Sequence, residues 1–203
     1  MSASISTVFQ THDLAGILVI GGQPSSKAAR SVEFFSAVDD ADPRSCKLVD
    51  LSRNMYYPTV NLVSGKMVTC YNRACDIFEE GTWRHLQDTK VKRRYHTSVT
   101  ISDRILLIGG YYSKSTEWIE VDGSPGSEGP FTVRHGHHHC TMKISDEVVV
   151  VTGGVDTEDF VTEYRISDGR ETKRKPLTQG RRYHACGVYQ DEDGQQVSGE
   201  MEK

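Results

Sequence analysis

The 203 residues carry 36% hydrophobic side chains, a formal charge of -4 and a mean hydropathy of -0.50, enough apolar material for the core of one or two folded units. A pI near 6.1 excludes the broad basic surface that phosphate neutralisation on nucleic acid requires. No apolar run approaches the roughly 20 residues of a membrane span, so neither nucleic acid nor a bilayer is an expected partner.

The first element in chain order is the apolar run Ile17-Leu-Val-Ile, which ends in Gly21-Gly22 and leads to an acidic-aromatic dyad, Glu33-Phe34. Short runs rich in β-branched residues, with no sustained spacing of three and four, predict strands. A second unit turns at Ser64-Gly65, runs through Lys66-Met-Val-Thr-Cys70, and has Tyr71-Asn72 where a glycine pair would stand. Its dyad is the looser Asp76-Ile77-Phe78, and Glu80-Gly81-Thr82-Trp83 closes it. The third unit reads His96 to Asp103, Ile105-Leu-Leu-Ile-Gly109-Gly110 and Glu117-Trp118. The fourth reads His139 to Asp146, Val148-Val-Val-Val-Thr-Gly153-Gly154 and Glu163-Tyr164, and a fifth begins at His184 to Asp191.

The glycine pairs at 21, 109 and 153 are 88 and 44 positions apart, so the first gap holds two periods of the second. Each His of the later units precedes an Asp by seven residues. Four strands in 44 residues is the content of one propeller blade. Glycine recurs where strands converge because it accepts positive φ and admits a second backbone at close range.

The glycine pair ending an apolar strand, the aromatic that follows it, Trp83 and a period in the forties together resemble kelch repeats, from about Ser4 to Val197. A WD-type propeller is disfavoured because the chain has no Trp-Asp dipeptide. The resemblance implies an all-β, kelch-type β-propeller of four four-stranded blades, roughly residues 4–53, 54–91, 92–134 and 135–178. An aborted fifth blade over 179–197, a disordered tail at 198–203 and hence an incomplete ring complete the expectation. Gly21, Gly22, Gly109, Gly110, Gly153 and Gly154 are its expected structural repeat positions.

Two groups of side chains invite a functional reading. His135-Gly-His137-His138-His139-Cys140 offers imidazoles and a thiol, good ligands for zinc or copper. In extended chain His137 and His139 share one face and His138 and Cys140 the other, so two ligands converge per face and no metal or other cofactor is expected. His139 also occupies the repeat position of His96 and His184, where packing and hydrogen bonding account for it.

The second group is basic and lies in the connections between blades: Lys90, Lys92, Arg93 and Arg94, then Arg134 and His135, then Lys173, Arg174, Lys175, Arg181 and Arg182. Equivalent loops emerge on one face of a propeller, so Arg94, Arg134, His135 and Arg182 are the candidate contacts for a protein partner bearing acidic groups. Solvated loop charge is the alternative reading of the same residues.

The chain contains no P-loop, GxSxG elbow, HExxH or EF-hand loop, so no catalytic residue and no enzymatic activity is expected. The kelch resemblance implies a protein-interaction scaffold, and many relatives carry a BTB domain that recruits a ubiquitin ligase; no such helical domain precedes the first blade, so the role of a substrate-adaptor fragment is borrowed from fold analogy. A copper oxidase of the galactose oxidase type, using a Tyr, a Cys and two His from separated loops, is the competing function. Five cysteines without a CxxC pair or a disulfide framework, no secretory leader and no glycosylation sequon predict reduced thiols and a cytoplasmic protein.

Overall fold

Runs of β-branched residues punctuated by glycine and aspartate turns favour extended chain throughout, and every regular element among the described residues is a strand. The computed structural model describes residues 7–10, 15–21, 30–36, 45–190 and 196–197. Blade 1 comprises β1 (Thr7–Gln10), β2 (Ala15–Ile20), β3 (Val32–Ser36) and β4 (Ser45–Lys47). Blade 2 comprises β5 (Thr59–Val63), β6 (Lys66–Glu79) and β7 (Thr82–Arg93). Blade 3 holds β8 (Thr97–Ile101), β9 (Arg104–Ile108), β10 (Ser115–Glu120) and β11 (Ser127–Thr132). Blade 4 holds β12 (Cys140–Ser145), β13 (Val148–Thr152), β14 (Val161–Arg165) and β15 (Glu171–Lys173). Neighbouring strands within each sheet are antiparallel and follow chain order, which identifies a β-propeller. In the fifth unit β16 (Tyr189–Gln190) and β17 (Gln196–Val197) pair as a short hairpin. Gly22 and the 198–203 tail lie outside the described residues.

Blade 2 explains the missing glycine pair. Cys70 and Cys75, five positions apart in β6, have Cα atoms 4.1 Å apart, where straight strand would separate them by about 17 Å. Lys66 Nζ also reaches Glu79 Oε1 at 2.5 Å from the opposite end of the same element. β6 therefore doubles back over Tyr71–Ala74 and supplies both the second and the third strand of the blade. Asn72 makes the reversal at φ 61°, a left-handed conformation that asparagine tolerates better than most side chains.

Side-chain alternation makes each inner sheet two-sided. In β9, Ile105 and Leu107 pack toward blade 2 with Val63, Val68 and Ile77, while Leu106 and Ile108 pack toward blade 4 with Val149, Val151 and Tyr164. Burying side chains of this size contributes about 1.5–3 kcal/mol each. The acidic-aromatic dyad divides its work: Trp118 and Tyr164 fill the cores, and the acids pin arginines. Asp76 takes Arg53 at 2.8 Å, Glu117 takes the buried Arg93 at 3.4 Å and Glu163 takes Arg174. Arg93 also donates to the carbonyls of Gly109 and Ser115 at 3.0 and 2.6 Å. These ties correct the reading of Arg93 and Arg174 as free rim charges.

The thiol expectation is corrected as well. Cys70–Cys75 and Cys140–Cys186 are disulfides, the second joining blade 4 to the fifth unit. The spacing rule missed them because one pair closes a four-residue turn and the other spans a full repeat, neither of which is a recognised framework. With four of the five cysteines bonded, free thiols no longer argue for a cytoplasmic location. No helix of the structure is long and apolar enough to cross a membrane.

Candidate partner-binding face

Blades 2 to 4 and the fifth unit each begin at a turn built alike. The residue just before the first strand's His or Pro is aromatic and left-handed: Tyr57 (φ 52°), Tyr95 (φ 55°), His138 (φ 61°) and Tyr183 (φ 56°). A bulky residue in this region costs on the order of 1 kcal/mol or more, so its repetition at one position requires compensation or use. Backbone bonds between blades supply part of the compensation, His138 N donating to Tyr95 O at 3.3 Å and Tyr183 N to His138 O at 3.1 Å.

The following residue is the clasp between blades. His96 Nε2 meets Thr59 Oγ1 at 3.2 Å, His139 Nε2 meets Thr97 Oγ1 at 3.0 Å and His184 Nε2 meets Thr152 Oγ1 at 2.9 Å, each reaching the preceding blade. Threonines 44 residues apart, Thr97 and Thr141, meet at 2.6 Å between the first strands of blades 3 and 4. The glycine pairs leave room for these imidazoles. A Cβ on Gly109 would stand 2.9 Å from His139 Cε1, and one on Gly154 would stand 3.1 Å from His139 Cβ.

The left-handed aromatics gather at one end of the inner strands. Tyr57 and Tyr95 have ring centroids 5.3 Å apart, Tyr95 and His138 4.0 Å, and His138 and Tyr183 3.7 Å. His137 and the exposed Tyr111 extend the patch, their rings 4.8 Å apart. Burial, followed by the neighbouring His137, His139 and Arg182, lowers the His138 pKa to about 4, so this ring is neutral at ordinary pH. Burial also lowers His137, opposed by Asp156 and reinforced by Arg182.

Cations surround the rings. Lys92 lies 4.8 Å from the centre of Tyr112, Arg94 lies 6.0 Å from that of Tyr71 and Arg182 lies 6.0 Å from that of Tyr183. No ion pair among the described residues uses Lys92, Arg94, Arg181 or Arg182, whereas Arg53, Arg84, Arg93, Arg104, Arg134, Arg165 and Arg174 are each paired with a carboxylate. The Nε of Arg94 is buried without a hydrogen-bond partner.

Of the four sequence candidates, the structure brings Arg182 against Tyr183 of the patch and Arg94 against Tyr71, a core ring close to Tyr95. Arg134 borders a cavity of about 400 Å³ on the same side, with Tyr111, Tyr112 and His137, but Glu171 neutralises it at 2.6 Å. His135 is 1% exposed, its Nδ1 at 2.8 Å from Gly153 O and its Nε2 at 2.9 Å from Thr162 Oγ1, so it braces blade 4 and is no surface contact. The sulfur of the His cluster is committed to the Cys140–Cys186 bond. No group of three or more His, Cys, Asp or Glu able to hold a metal occurs among the described residues. Sequence reasoning passed over Tyr57, Tyr95, His138 and Tyr183, although an aromatic directly before the repeating His or Pro was legible once the units were aligned.

Comparison with known proteins points the same way on fold. No family model matches the chain. It is similar to an F-box/kelch-repeat protein of Arabidopsis thaliana, with 31% identity over 80 residues. That match covers 37% of this chain, and the chain spans only 18% of the relative's length. The solved structure of YjhT resembles it with a TM-score of 0.68 at 10% identity, over 88% of this chain and 67% of that one. At that identity the likeness concerns the fold.

Proposed function

We propose that this chain, a β-propeller whose repeats are similar to kelch repeats, is a protein-interaction scaffold that binds an acidic segment of a partner on the axial face around Tyr95, His138 and Tyr183. The reading gives the face a binding role and no catalytic one. The observation that carries it is the recurrence of a strained aromatic at the same turn in successive blades, with Lys92, Arg94 and Arg182 nearby and in no ion pair among the described residues. Aromatic rings supply rigid contact area, and guanidinium groups supply forked donors for carboxylates. The kelch-repeat relative supports an interaction role at the level of fold.

Peptide display against the immobilised chain tests it. Acidic sequences should be enriched, and their affinity should fall as salt rises, because exposed charges are screened beyond about 8 Å at physiological ionic strength. Arg94→Ala and Arg182→Ala should each weaken binding about tenfold while stability changes by less than about 1 kcal/mol. Enrichment of uncharged peptides, or binding indifferent to both substitutions, would sink the proposal.

A further inference from the structure

We infer that the Cys140–Cys186 disulfide is a redox-reversible clasp that holds Arg182 and Tyr183 in place on the axial face. The two disulfides differ in access. Cys70 and Cys75 are both 0% exposed inside blade 2, whereas Cys140 is 8% exposed and Cys186 is half-buried in the segment that follows blade 4. From Arg174 to Val188 the chain forms no strand, and Arg181, Arg182, Tyr183, Ala185, Gly187 and Val188 are exposed.

A few polar ties dock this segment: Arg181 N on Glu158 O at 2.7 Å, Gly154 N on Arg181 O at 3.0 Å, Tyr183 N on His138 O at 3.1 Å, and His184 on Thr152. Beyond His184 the tie to blade 4 among the described residues is the disulfide. A segment with few apolar contacts and solvent-facing hydrogen bonds opens locally at low cost, so a covalent anchor two residues past His184 governs how often it does. Blades 2 to 4 are held by their own buried cores and do not depend on that anchor.

The step is thiol-disulfide exchange with a dithiol reductant. A thiolate of the dithiol attacks the more accessible sulfur, that of Cys186, and Cys140 leaves as thiolate and takes a proton. The second thiol of the reductant then closes its own disulfide and releases Cys186, so two electrons pass from the dithiol to the protein. With the bond open, Arg182 and Tyr183 leave the aromatic column. The use of this face to bind a partner rests on the proposed function; the opening itself does not.

The test uses the full chain equilibrated with graded ratios of reduced and oxidised dithiothreitol. Free thiols are then alkylated and mapped, and limited trypsin cleavage after Arg181 and Arg182 is timed. We expect Cys140 and Cys186 to be alkylated while Cys70 and Cys75 stay protected, with cleavage at the two arginines at least about tenfold faster and blades 2 to 4 intact, since cleavage tracks the open population. Cys186→Ser without reductant should cleave at the same rate as reduced wild type. Three results would each overturn the inference: unchanged cleavage once Cys140 and Cys186 are alkylated, earlier reduction of Cys70–Cys75, or loss of the whole β-sheet signal on reduction, which would make the bond a staple of the entire fold. None of these readouts needs a partner, so they fail or succeed independently of peptide binding.

Discussion

Between pH 6.5 and pH 4 the protein is expected to lose roughly 6 kcal/mol of stability, comparable with the entire margin of an ordinary domain. The largest contributions come from the buried clasp imidazoles His96 and His139, and the half-buried His138 adds to the loss in the same direction. Burial, then the nearby Arg93 and His139, lowers the His96 pKa from 6.5 to about 3. Burial lowers His139 to about 4 against an opposing bond to the Gly136 carbonyl. In His96 the Nδ1 atom has no partner, so a second N–H there would face no acceptor. The unfolded chain takes up these protons below pH 6.5 and the folded chain does not, so stability is complete above pH 6.5 and falls as pH drops toward the folded values. The slope should be about 1.4 kcal/mol per pH unit for each imidazole, or about 2.7 for both. Urea unfolding at half-unit steps measures it, and His96→Gln should lower the slope by about 1.4 kcal/mol per pH unit while still melting cooperatively. Equal stability at pH 4.5 and 7 would show that these rings are not held neutral.

Gly153→Val is expected to cost about 3–5 kcal/mol and to lower Tm by roughly 10 °C. Two effects add at this position. The backbone is left-handed at φ +62°, which a β-branched residue adopts only under strain. A Cβ there would also overlap the Arg181 carbonyl and stand 2.7 Å from His184 Cε1, forcing blade 4 and the fifth unit apart. Gly123→Val separates the terms, because Gly123 is equally left-handed at φ +87° but its Cβ would meet nothing within 4 Å. That control should lose only about 1–2 kcal/mol. If the two variants melt together, the close approach of the next blade contributes nothing and the clasp is misassigned.

The blades were legible because their signals are local. A strand's alternation, a turn's glycine or aspartate and a period of 44 all survive in one dimension, and Gly109 and Gly153 stand at the strand ends where the spacing put them. At Tyr71-Asn72, where a glycine pair is missing, Asn72 shows why glycine could be given up: one left-handed residue suffices when the turn shortens and Cys70–Cys75 spans it.

The candidate site divided differently. Sequence alone determined that basic residues recur in the blade connections, since charge is a property of the residue. Only the tertiary structure decided which of them stay free: Arg93 and His135 turn inward because the next strand presents buried carbonyls and Glu117 or Thr162, while Arg94 and Arg182 turn toward rings. The aromatic column and the Cys140–Cys186 bond were hidden for the same reason. Their successive members are 38 to 46 residues apart and meet only when neighbouring blades pack, and proximity across a blade interface is set by the shared core rather than by anything written beside each residue.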